Sequence, residues 1–64
     1  MNYFKVTRIL SEHGCYLHRK GNGSHMVWYS PITKKKFPVQ KHQGKDIPRG
    51  TLKKIEEQSG VQLL

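Results

Sequence analysis

The chain has 64 residues, 34% of them hydrophobic, and carries 12 Lys+Arg against 4 Asp+Glu for a formal net charge of +8. At this length it forms one domain over residues 1–64 with a thin core, burying only about 60% of the surface its unfolded form exposes. The single cysteine, Cys15, excludes an internal disulfide, and with no secretory signal or spanning segment the expected setting is the cytoplasm, with no membrane partner.

From Asn2 to about His13, Tyr3, Val6, Ile9 and Leu10 recur at three- and four-residue intervals with Lys5, Arg8 and Glu12 opposite them. That spacing predicts a first helix, stopped by Gly14. Cys15-Tyr16-Leu17-His18-Arg19 and Met26-Val27-Trp28-Tyr29 are rich in aromatic and β-branched types, and Gly21 and Gly23 lie between them. This is the pattern of a β-hairpin. A dinucleotide fingerprint needs a third glycine and a following helix, whereas a second strand-like run follows here. Cys15 reads as a small apolar core residue, because no histidine is placed beside it by sequence.

Ser30-Pro31-Ile32-Thr33 closes the hairpin as a turn, and Lys35-Lys36-Phe37-Pro38-Val39-Gln40 follows as a third strand. Pro38 has no amide to donate, so this strand lies at a sheet edge or ends there. Lys41 to Gly50 is a polar, basic loop. A second helix opens at Ile47-Pro48-Arg49-Gly50-Thr51, with Pro48 in its first turn and Leu52, Ile55 and Gln58-Ser59 along one face. Gly60 ends it, and Val61, Leu63 and Leu64 form an apolar tail.

Each element has one apolar face, so the expected fold is α+β in the order α-β-β-β-α. Two helices lie on one face of a small three-stranded antiparallel sheet, and the other face is free. Period two puts His25, Val27 and Tyr29 on one sheet face and Met26 and Trp28 on the other. The pattern alone leaves open which set meets the helices.

Between His13 and Lys45 there are seven cations (Arg19, Lys20, Lys34, Lys35, Lys36, Lys41, Lys45) and no acid; the acids are Glu12, Asp46, Glu56 and Glu57. That asymmetry marks a polyanion-binding surface. Nucleic acid is the leading partner, because the cations alternate with Tyr16, Trp28, Tyr29 and Phe37, which either stack on bases or pack the core. A membrane surface fits less well, since no basic amphipathic helix carries the charge. His25 leaves the turn beside Arg19 and Lys20, and histidine is the residue type that exchanges protons near neutrality, so a phosphodiester is the candidate substrate, with Lys20, Arg19 or Lys36 as the candidate stabiliser of its transition-state charge. His18 on the first hairpin strand is a candidate second proton handler or a plain surface histidine. Ser24 either orients His25 or caps the turn. His13, His18, His25, His42 and Cys15 lack the paired short spacing of zinc motifs, so neither a metal nor another cofactor is expected.

Assembled, these residues resemble the HicA (YcfA-like) family, small toxins of bacterial toxin–antitoxin pairs. The resemblance rests on Gly14-Cys15-Tyr16-Leu17 after an opening helix and on Lys20-Gly-x-Gly23-Ser24-His25. A second signature runs from Pro38-Val39 through His42-Gln43-Gly44-Lys45 to Ile47-Pro48-Arg49-Gly50-Thr51-Leu52-Lys53-Lys54-Ile55. It implies a fold similar to the double-stranded-RNA-binding domain, endoribonuclease (mRNA interferase) activity, and a HicB-type antitoxin covering the active site. Carried over by position, the catalytic histidine is His25, with Gly23 and Ser24 among the RNA-contacting residues. Two departures are visible. Met26 stands where many relatives have a second histidine, and extra residues between Pro38 and His42 leave His42 without an assigned counterpart. The alternatives are a non-catalytic RNA-binding module of the same fold and a DNA-binding partner of a repressor, the latter lacking a helix-turn-helix spacing.

Overall fold

The computed structural model describes residues 1–41 and 44–64; His42 and Gln43 lie outside the described residues. The elements follow as α1 (Tyr3–Glu12), β1 (Tyr16–Lys20), β2 (His25–Ser30), β3 (Lys35–Gln40) and α2 (Arg49–Ser59). Asn2 starts α1, its side-chain oxygen accepting the Lys5 amide at 2.9 Å, which satisfies one of the donors a helix leaves free. Tyr3, Val6, Thr7 and Leu10 form the buried stripe. Gly14, at φ +89°, donates to Ser11 O at 3.0 Å and turns the chain into β1, a backbone region that other residues occupy at a cost. Cys15 is buried with the apolar core.

The strands form one antiparallel sheet in the order β1-β2-β3. Along β2, Met26, Trp28 and Ser30 are buried while His25 is exposed and Val27 and Tyr29 are half-buried. The first set therefore meets the helices. Phe37 and Val39 join it from β3, Tyr3, Val6 and Leu10 from α1, and Leu52 and Ile55 from α2. Trp28 is locked further by its indole N–H, which donates to Tyr3 Oη at 3.2 Å inside the core, so the ring's polar edge is not left unpaired. Both helices cover one sheet face, as the α-β-β-β-α reading expects, and the other face is open. Pro38 lies on β3 at the sheet's edge. Pro48 differs from expectation by one step: it is the N-cap of α2 and not a member of its first turn, its carbonyl accepting the Leu52 amide at 3.0 Å.

The turn between β2 and β3 is stapled to the end of α2. Fully buried Ser30 donates through Oγ to Ser59 O and accepts the Ile32 amide at 3.2 Å, while Thr33 Oγ1 donates to Gln58 O at 2.6 Å. Carbonyls that a helix end leaves without partners are thereby satisfied by the turn. Gly60 makes the close approach possible. It has φ +74°, and a Cβ there would stand 2.9 Å from Ile32 Cγ2 and 3.1 Å from Thr33 Cγ2. Beyond it Val61 and Leu63 return to the core. Glu56 Oε2 holds the tail, accepting the Leu63 and Leu64 amides at 2.6 and 2.7 Å.

Gly60→Ala combines a strained φ with a steric collision, so a loss of about 1–3 kcal/mol is expected in chemical unfolding. Gly50→Ala, with nothing within 4 Å of the added methyl, is expected to gain up to about 1 kcal/mol as a better helix former. The amides of Leu64 and Leu63, helped by Lys53 and Arg49, hold the Glu56 carboxyl below its ordinary value. Its stabilisation is thus complete above the unfolded chain's carboxyl pKa and disappears as pH falls through the lower folded one. Glu56→Gln is expected to lower the urea midpoint at about pH 7, and the gap between variant and wild type is expected to narrow progressively as the pH is taken below the ordinary carboxyl range, as the Glu56 carboxylate of the folded chain takes up its proton.

Candidate active site on the open sheet face

The β1–β2 connection is built to bring His25 up against the end of β1. Gly21 donates its amide to His25 O at 2.7 Å, and the His25 amide donates to Asn22 O at 3.1 Å. A Cβ on Gly21 would lie 3.0 Å from His25 O and 3.4 Å from His25 Cβ. Gly21 is thus required by proximity, and Gly23, at φ +59°, by conformation. Ser24 makes its hydrogen bonds to the end of β3. Its carbonyl accepts the Lys41 amide at 2.9 Å and its hydroxyl accepts from Gln40 Nε2 at 3.4 Å, so its contacts tie the hairpin to the end of β3.

A β-bulge decides which cation joins His25. Tyr16 pairs with Tyr29 and Leu17 with Trp28, but Arg19, not His18, pairs with Val27, and Lys20 pairs with Met26. Cross-strand partners share a face, and one extra residue inverts the alternation beyond it. Strict period two would have put Arg19 on the face of Leu17, toward the helices. The bulge at His18 moves it to the open face, beside Val27.

The result is an open hollow lined by Arg19, Lys20, Gly21, Asn22, His25 and Val27. Its lining includes exposed His25, Arg19 on the same sheet face, and Lys20 at the end of β1, whose strand partner is Met26, and it includes no acidic residue. An anion entering it meets basic residues and no acidic side chain. His18 is exposed on the bulge, outside that lining.

The remaining basic residues spread widely. Lys36 is opposite Tyr29 and Lys35 opposite Ser30, whereas His25 is opposite Gln40, so Lys35 and Lys36 stand at the far end of the sheet. At roughly 3.3 Å per residue, Tyr29 and Lys36 are about 13 Å along β2 from His25. Lys36 therefore does not share a phosphate with His25. Lys34 occupies the adjoining turn at φ +56°. The Lys41 ammonium is drawn toward α1, 5.4 Å from the Tyr3 ring centroid and 5.8 Å from that of Phe4. Lys45 is exposed ahead of α2. Among the four central aromatics, Trp28 and Phe37 belong to the core, while Tyr16 and Tyr29 share the open face. Asn22 and Val27 line the hollow without having been singled out in the sequence, where nothing in a turn asparagine or a strand valine marks such a role.

Fold and site together define a small two-layer α+β domain that presents a histidine in a cationic hollow on its uncovered sheet. A protein-family model described as HicA toxin of bacterial toxin-antitoxin matches residues 4–61. The chain belongs to the HicA toxin family and so to the toxins of toxin–antitoxin systems. No curated protein and no solved structure matches it. Among the described residues no helix is long and apolar enough to cross a membrane, and no three His, Cys, Asp or Glu side chains converge.

Gly21→Ala tests the hairpin geometry. The added methyl presses on the His25 carbonyl, so amide resonances of residues 19–27 are expected to shift in a ¹H–¹⁵N spectrum while those of α2 stay in place. Unchanged resonances around His25 would show that the close approach does not constrain it.

Proposed function

We propose that this protein is a metal-independent endoribonuclease that cleaves mRNA as the toxin of a type II toxin–antitoxin pair, with His25 as proton-transfer residue. The observation that carries the proposal is the exposure of His25 in a hollow shared with Arg19 and Lys20 on a sheet whose strands contain no acid. Membership of the HicA family supports the same reading.

The chemistry follows from what RNA supplies. A 2′-hydroxyl gives up its proton, its oxygen forms a bond to the adjacent phosphorus, and the bond from phosphorus to the 5′-oxygen breaks as that oxygen takes up a proton. A cyclic phosphate and a free 5′-hydroxyl result. His25 handles one of these protons, a contribution of about 10²–10⁴ in rate. Arg19 and Lys20 stabilise the charge that accumulates on the phosphate oxygens, which is commonly at least as large an effect. His18, exposed on the same hairpin, is the candidate for the second proton. Gly23 keeps the turn in its left-handed conformation so that RNA backbone can approach, Lys36 carries positive charge further along the open face, and Lys34, Lys35, Lys41 and Lys45 bind phosphates of the RNA from the surrounding surface. A HicB-type antitoxin silences the enzyme by covering the hollow.

Purified protein incubated with mRNA in EDTA is expected to cleave it. His25→Ala should slow cleavage by about 10²–10⁴, Arg19→Ala by an amount of the order of 10², and His18→Ala by less than His25→Ala. Cleavage by His25→Ala at the wild-type rate would remove the assigned role. Steeply salt-dependent binding with RNA recovered intact from the wild type would instead favour the binding-only module, which the +8 charge also supports.

A further inference from the structure

The open sheet face carries a second feature beyond the histidine hollow. Tyr16 and Tyr29 are direct cross-strand partners with ring centroids 5.4 Å apart and planes inclined by 40°. Tyr16 is 53% exposed and Tyr29 half-buried, so neither ring is committed to the core that Trp28 and Phe37 fill. Lys36 is paired with Tyr29 on its other side. The next row along the sheet is Arg19, Val27 and Pro38, and the row after it holds His25 and Gln40. A chain laid along β2 would thus pass from the histidine hollow, across an apolar step, to an aromatic pair flanked by a lysine.

We propose that Tyr16 and Tyr29 form a stacking platform for one base of single-stranded RNA, with Lys36 on the adjoining phosphate, positioned along β2 from the phosphate held at His25. The inference rests on the reading of RNA as the substrate and adds where on the strand the protein grips it. Single-stranded RNA is the occupant because the three strands contribute Arg19, Lys20, Lys35 and Lys36 and not one acid, and because the tyrosine pair offers exposed ring surface. In a duplex the bases are stacked on one another and their faces are closed to such rings. Stacking tolerates any base, since every base has a π-face. The platform fixes register on the strand and does not read its sequence.

The test uses a fluorescein-labelled single-stranded RNA methylated at every 2′-hydroxyl, which can bind but has no nucleophile for cleavage, and an abasic backbone of equal length. Tyr16→Ala and Tyr29→Ala are each expected to weaken binding of the methylated RNA about fivefold to a hundredfold by anisotropy. Tyr16→Phe and Tyr29→Phe should stay within about twofold, because the π-face remains. On the abasic backbone wild type and alanine variants should bind alike, and unchanged thermal midpoints would show that the variants are folded. Wild-type affinity in both alanine variants overturns the platform, as does an equal loss on the abasic backbone. Retained RNA affinity with loss of a co-purifying antitoxin protein also overturns it, making the face a protein interface. None of these outcomes touches the cleavage reading, which stands or falls on His25→Ala.

Discussion

The phase of β2 is the constraint on which this protein depends. Six residues in that strand must divide between a helix-covered face and an open one, and Trp28 and Ser30 settle the division. Trp28 buries the largest side chain in the strand and finds a partner for its N–H in Tyr3. Ser30, at no measurable exposure, bonds to the end of α2. A slip of one residue would strand a buried hydroxyl and expose an indole, while pushing an imidazole into the core. With Met26, Trp28 and Ser30 held inside, His25, Val27 and Tyr29 are left outside. The site is thus a consequence of how the core is packed at the other side of the same strand.

A single inserted residue then chooses the company His25 keeps. The bulge at His18 puts Arg19 on the open face next to Val27, and Lys20 follows at the rim. The same irregularity serves the edge of the sheet. β1 is exposed along its whole length, and a twisted, cationic edge resists pairing with another chain. Pro38 and the lysines of β3 do the same at the opposite edge. Charge placed on the strands therefore discourages aggregation and attracts a polyanion at once.

The second helix and the tail after it support this arrangement without entering it. α2, the Gly60 turn and the Val61–Leu63 return cover the inner sheet face and hold the β2–β3 turn through Ser30 and Thr33. Glu56 spends its carboxylate on backbone amides of the tail, and Glu57 lies on the same helix. Acids are consequently confined to the helices and the loop before α2, and the strands are left wholly to neutral and basic residues. In a chain of 64 residues with a net charge of +8, that segregation lets the sheet attract phosphate without a competing carboxylate nearby.

The element order, the helical stripe of α1, the two-glycine hairpin, the edge position of Pro38 and the stop at Gly60 were all legible in the sequence. Each depends on a local property: a 3.6-residue period, a missing amide, or a left-handed φ. The family likeness in Lys20-Gly-x-Gly23-Ser24-His25 was legible in the same way, as a short contiguous pattern, although its second signature runs through His42 and Gln43, which lie outside the described residues. Three matters were decided only by the tertiary structure. His25-Met26-Val27-Trp28-Tyr29 carries apolar residues at both parities, so periodicity could not say which face turns inward until the helices and Tyr3 were in place. The bulge leaves no mark in Tyr16-Leu17-His18-Arg19-Lys20, because its origin is the register against β2. Cations adjacent in the notation of charge also part in space, Lys36 to the tyrosine end and Lys41 to the rings of α1. Periods and turns are written along the chain, whereas phase, register and the company a charge keeps come from the strands and helices packed beside it.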